Sequence, residues 1–146
     1  MQDYIALRKI WQDEIEDLFE LQMSAGSRLI CAHSSAYAGN GAIDELVDGL
    51  NRFISGKTDE FLWKNGNRGG MASLGPLFHS LKFFHKNKLG DVLIEVYMEL
   101  ADGGKPSEHN CCFYVETELG LLEKFYKKLY LLKEPNLDVE IMLNDL

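Results

Sequence analysis

Three residues able to carry chemistry fall within four positions of the chain: His109, Cys111 and Cys112, in the stretch "EHNCCFYVETELGLLEKF" at 108–125. A cysteine nucleophile needs a neighbouring base, or a positive environment that lowers the pKa of its thiol. On an extended strand His109 and Cys111 share a face, so a base–thiol contact is open to them, whereas Cys112 projects to the other side. No feature of the sequence supplies an oxyanion hole or a group to orient His109. In a strand that continues as Phe113, Tyr114 and Val115, a cysteine also fits as a small buried hydrophobe. A structural zinc site asks for about four Cys or His ligands, often in closely spaced pairs. Adjacent cysteines pointing oppositely do not make such a pair, and His33, His79 and His85 are remote, without ligand spacing. The expectation is no catalytic residue, no metal and no cofactor.

Other chemistries find still less. There is no G-x-S-x-G elbow around any serine. The glycine-rich stretches "NGNRGG" and "AYAGNGA" match neither the P-loop nor the dinucleotide fingerprint. Paired carboxylates recur at Asp13–Glu14, Glu16–Asp17 and Asp44–Glu45. Consecutive acids at strand ends and in first helical turns are usually solvated, which does not suit a general acid.

The elements that must position these residues follow from periodicity. Residues 3–11 and 15–24 alternate as two strands joined by a short polar turn, with Ile15, Phe19, Leu21 and Met23 on one face and Asp17 breaking that apolar set. Residues 28–37 make a third strand. The period then changes: Ile43, Leu46, Val47, Leu50, Phe53 and Ile54 fall at helical spacing, with Asn40 as N-cap and Gly56 as the stop. A short strand at 60–64 and an aromatic-rich segment at 71–86 follow, Pro76 marking a bend, bulge or edge. In 91–100, Val92, Ile94, Val96, Met98 and Leu100 face one way and Asp91, Glu95 and Glu99 the other. The segment 109–116 is its antiparallel neighbour. From Thr117 the helical period returns through Leu119, Leu122, Phe125, Tyr126, Leu129 and Leu132, until Pro135 bars continuation. Residues 137–144 alternate as a last strand. The expected architecture is α+β in one domain, 1–146: a single, largely antiparallel β-sheet of about seven to eight strands with two α-helices packed on one face.

Charge bears on partners. The net charge of −8 sits at the two ends. Residues 1–20 carry six acids against Arg8 and Lys9, and residues 134–146 carry four acids and no base, while the span between balances 13 acids with 13 bases. Phosphate-driven nucleic-acid binding needs a basic surface, so none is expected. An acidic flank can instead attract a basic protein. No apolar run nears the roughly 20 residues of a membrane helix, and the three cysteines form no disulfide framework. A reducing, cytoplasmic location is expected. Trp63, beside "NGNRGG", either covers a sheet edge or anchors a partner.

The helix "GAIDELVDGLNRFISG" with its following "FLWKNG", the strand pair "PLFHSLKFFHKNKLGDVLIEVYMEL", and above all "CCFYVETELGLLEKFYKKLYLL" carry a resemblance. Over most of residues 15–143 the layout resembles a family of small bacterial immunity proteins, the antidotes paired with contact-dependent, wall-associated polymorphic toxins. The resemblance implies a non-catalytic protein that neutralises one cognate toxin domain by direct binding, and nucleases are common among such toxins. It carries no active-site motif. On charge placement the expected partner contacts are Asp13, Glu14 and Glu16 at the first hairpin, with Trp63 and Arg68 as loop contacts. Two other functions stay open from the residues: a small enzyme using Cys111 and His109, and a homodimeric structural or regulatory module joined at a sheet edge.

Overall fold

The computed structural model describes residues 3–66, 78–100 and 109–144. Pro76, Arg68 and the "ADGGKPSE" turn lie outside the described residues. Among the described residues, eight strands and two helices run in the order β1 (Tyr4–Gln12), β2 (Phe19–Gly26), β3 (Cys31–Ala38), α1 (Asn40–Ile54), β4 (Glu60–Gly66), β5 (Phe78–His85), β6 (Asp91–Glu99), β7 (Asn110–Glu118), α2 (Leu119–Lys128) and β8 (Glu140–Leu143). A 3₁₀ turn, Leu129–Lys133, extends α2.

The α+β class holds, but the strands do not form one sheet. They divide into two four-stranded antiparallel sheets, ordered β3-β2-β1-β8 and β4-β5-β6-β7. Each helix is the crossover between them: α1 carries the chain from β3 to β4, and α2 returns it from β7 to β8, which pairs with β1. Each helix contacts strands of both sheets, α1 against β3 and β4 and α2 against β7 and β8, rather than lying on one face of a single sheet. Alternation along a strand dictates which residues face inward, and both sheets obey it. Ile5, Leu7, Phe19, Leu21 and Met23 of the first sheet join Leu81, Phe83, Ile94, Val96 and Val115 of the second in one buried cluster. Ile43, Leu46, Leu50 and Phe53 of α1, with Leu122 and Phe125 of α2, close it.

Local departures from the expected pattern have physical reasons. The second strand begins at Phe19, not at 15, and Ile15 is 94% exposed at the turn. Asn40 does not cap α1; Gly39 holds the cap position with no side-chain bond of its own. The cap comes from across the chain, since both carboxylate oxygens of Asp17 accept from the Asn40 amide, at 2.9 and 3.1 Å. Residue 39 must be small there, because a Cβ would lie 2.9 Å from the Asp17 carbonyl oxygen. At the other end Gly56 takes a φ of +79°. Its amide donates to Phe53 and the Lys57 amide to Arg52, the paired bonds of a Schellman stop. Thr117 still belongs to β7, and α2 begins at Leu119.

Lys9 sits on the inner face of β1, wholly buried. Its Nζ donates to Gln12 Oε1 at 2.9 Å and to the Glu134 carbonyl at 2.6 Å, and lies 4.7 Å from the Phe19 ring centre. Burial pushes its pKa below the ordinary lysine value, with the carboxylates of Asp17 and Glu134 pulling the other way. Beyond it a bulge between Lys9 and Trp11 shifts the register. A bulge re-aims the following side chain, and Trp11 turns outward to meet Tyr37 edge-on at 6.1 Å.

Gly49 is a poor helix residue with a packing purpose. A Cβ at this position would fall 2.0 Å from Phe61 Cζ, so the bare backbone of α1 makes room for a β4 ring stacked on Phe83. Gly49→Ala is expected to lower stability by about 1–3 kcal/mol despite its better helix propensity. Urea unfolding of Gly49→Ala, and of the double variant with Phe61→Leu, checks this: the second change should recover part of the loss, and a stabilised single variant would contradict it.

Candidate interaction surface

The polar groups best placed for catalysis prove to be bound up in the fold. Ser34, His79 and Asn65 come from β3, β5 and β4 and meet inside the protein. Ser34 Oγ lies 3.2 Å from His79 Nδ1, and Asn65 Nδ2 lies 2.9 Å from His79 Nε2. The amide nitrogen can only donate, so Nε2 accepts, the ring proton sits on Nδ1, and Nδ1 donates to Ser34. A histidine that donates to serine cannot take the serine's proton, which is the step a hydrolytic triad requires. His79 is fully buried, and burial lowers its pKa to about 3. The cluster pins the edge of the first sheet to the second.

The thiols are poorly disposed as nucleophiles. Burial raises the pKa of Cys111, and the neighbouring Cys112 adds to the shift. Burial also raises that of Cys112, joined by the charge of Glu95. An activated thiol needs the opposite. The strand reading of Phe113 and Val115 as core residues holds, while Cys111 is half-buried and Cys112 exposed. Among the described residues no group of three or more His, Cys, Asp or Glu is arranged to hold a metal ion. No helix among them is long and apolar enough to cross a membrane.

The acidic residues separate into those that build and those that are left over. Asp13 Oδ1 accepts from the amides of Ile15 and Glu16, at 2.8 and 2.9 Å. These bonds, Glu16 first, hold its carboxyl below the usual range. The turn closes through Asp13 N to Leu18 O at 2.9 Å. Asp17 caps α1. Glu14 and Glu16 stay exposed on either side of Ile15, on a loop fixed at both ends. Trp63, expected as a loop contact, is instead a core residue, 1% exposed, whose Nε1 donates to the Ala42 carbonyl at 2.9 Å. Its alternation on β4 places it beside Asn65, on the inner face. Arg68 falls outside the described residues.

Two features had no sequence signal. The acid-rich ends of the chain converge, because β8 pairs with β1. Asp138 bonds Arg8 at 2.7 Å, its amide reaches the Lys9 carbonyl, and Lys9 feels both Asp17 and Glu134. Both bases of the N-terminal segment are thereby engaged with groups of the C-terminal one. At the opposite end of β1, Asp3, Glu116, Thr117 and Asn144 form a polar seam. Asn144 Nδ2 donates to the carbonyls of Asp3 and Glu116, at 2.8 and 3.0 Å, and Thr117 Oγ1 donates to Asn144 Oδ1. Two adjoining grooves of about 480 and 490 Å³ flank this seam and share Asp3, Arg28 and Glu116. No protein-family model matches the sequence, and no curated protein or solved structure is significantly similar to it.

Two measurements bear on these groups. His79 has a folded pKa below its unfolded value of 6.5. The unfolded chain therefore binds the extra proton as pH falls from 6.5 towards 3, and stability present above that window is lost through it. Urea midpoints between pH 7 and 4 should fall with a slope that includes up to about 1.4 kcal/mol per pH unit from this group. His79→Gln should remove that part of the slope, and an unchanged slope would refute the assignment. Asp17→Ala should lose about 1 kcal/mol as a cap, read by the same unfolding, whereas Glu14→Ala should be neutral.

Proposed function

We propose that this chain is a non-catalytic binding protein whose partner is a basic protein domain, and that the partner is a cognate toxin of the kind the sequence resemblance implies. The observation that carries the proposal is the convergence of the two acidic ends around Lys9, which lies between Asp17 of one and Glu134 of the other, with Glu14 and Glu16 exposed on the same turn as Asp17. Separated in sequence, each acidic segment is an ordinary solvated stretch. Brought together they make one acidic surface, capable of speeding encounter with a basic cleft and of discriminating against acidic partners.

The loop geometry supports the same proposal. Glu14, Ile15 and Glu16 stand on a turn already ordered by Asp13 and Asp17, so little conformational entropy is lost when a partner closes over it. Ile15 gives that tip an apolar side chain to bury. The Cys111–His109 enzyme alternative is disfavoured by the raised thiol pKa.

Co-expression with the C-terminal domain of a toxin-like reading frame, sought next to its gene, provides the test. Wild-type protein should restore growth and co-purify with the toxin. Glu14→Lys with Glu16→Lys should slow association by about tenfold or more and steepen the loss with salt. Equal protection by this charge-reversed variant, with its fold intact by circular dichroism, would remove the acidic loop from the interface.

A further inference from the structure

The outer edge of β7 is closed at one residue and open at the next two. Glu116 donates its amide to Asp3 Oδ2 at 2.9 Å, and its carbonyl accepts from Asn144 Nδ2 at 3.0 Å. Both groups therefore point away from β6, and two side chains satisfy them as a ninth strand would. Backbone direction alternates along a strand. Tyr114 and Cys112, two and four residues back, thus turn their N–H and C=O groups outward too, and their side chains are exposed. No described residue bonds these four backbone groups. Exposed edges are usually blunted by lysine, proline or a bulge, and β7 has none of these at Cys112–Tyr114.

A groove runs beside this open stretch. Leu93 and Tyr114 form its floor on the outer face of the second sheet, and Leu29 and Ile30, in the β2–β3 turn, form its apolar wall. Leu29 is 94% exposed and Ile30 42%. The adjoining groove along the seam carries four carboxylates, Asp3, Asp91, Glu116 and Glu118, against Arg28 and Lys86.

We infer that the Cys112–Tyr114 edge of β7 is a strand-addition site for an extended, basic segment of a partner protein. Such a segment would make four main-chain hydrogen bonds at Cys112 and Tyr114, stopping where Asp3 and Asn144 already occupy the edge. Its side chains alternate, so one apolar residue enters the Leu29–Leu93 groove while lysines or arginines meet the carboxylate rim. The net negative rim and the overall charge of −8 disfavour a second copy of this chain as occupant. The inference deepens the binding-protein proposal and concerns a surface at the other end of β1 from the acidic loop.

The test uses the full chain and a synthetic peptide of about ten residues alternating lysine and valine. Amide hydrogen exchange at Cys112 and Tyr114 should slow on adding the peptide. A version N-methylated on every second amide, and one with glutamate replacing lysine, should each bind about tenfold more weakly or worse. Tyr114→Pro, which removes an outward donor without touching the β6 ladder, should abolish the protection. Three results would overturn the inference: no protection at about millimolar peptide, equal binding of the N-methylated peptide, or protection that grows with protein concentration alone, which would assign the edge to a second copy. Growth rescue in the presence of the toxin is read separately, so failure here leaves the outcome of that experiment intact.

Discussion

The side-chain amide of Asn144 donates to two carbonyls that belong to different sheets, Asp3 at the start of β1 and Glu116 in β7. Two sheets that share a core but no hydrogen-bonded ladder have to be joined by side chains wherever their edges meet. Asn144 does this on one side, with Thr117 completing its oxygen. Ser34, His79 and Asn65 do it on the other. A buried polar group left unmatched costs about 1–3 kcal/mol, so each seam is stable only when every member has its partner. Asn144 also adopts a φ of 65°, a left-handed conformation that asparagine accepts more readily than most residues. The residue that turns the chain at the end of β8 is thus the one that locks the sheets.

Much of the element pattern was legible because one-sided burial writes itself into alternation and into helical spacing. Val92, Ile94, Val96 and Met98 are all fully buried, and so are Ile43, Leu46, Leu50 and Phe53. Strand partnership was not legible, for a physical reason: alternation says which face is apolar but not which neighbour lies beside it. The same signal fits one eight-stranded sheet or two of four. Asp17 looked like a flaw in an apolar strand because its work, capping α1, is done 23 residues away. Trp63 beside a glycine-rich stretch looked like a surface anchor, yet its neighbours on β4 set its face, and that face is interior. Of the expected contact residues, Asp13, Glu14 and Glu16 do lie together on one loop, though Asp13 is largely spent in shaping it.

The division between spent and unspent groups runs through the whole molecule. His79, Lys9, Asp17 and Asp3 are chemically versatile side chains, and each is committed to holding an element in place. Among the described residues, groups of another kind stay uncommitted, among them carboxylates at one end of the first sheet and main-chain donors and acceptors along one strand edge of the second. The glycines follow the same logic, since Gly49 and Gly39 are small in order to let another segment approach.

The pairing of β8 with β1 has a kinetic side as well. Ile5 and Leu143 are register partners although 138 positions separate them. Bringing such distant segments together carries a large loop-closure penalty that local contacts do not share. The β1–β2–β3 and β4–β7 meanders can form early from neighbouring segments. The first sheet then waits with β1 as a bare edge and Lys9 without its Glu134 carbonyl. On contact order alone, docking of the final strand is expected to be the last step in completing the first sheet.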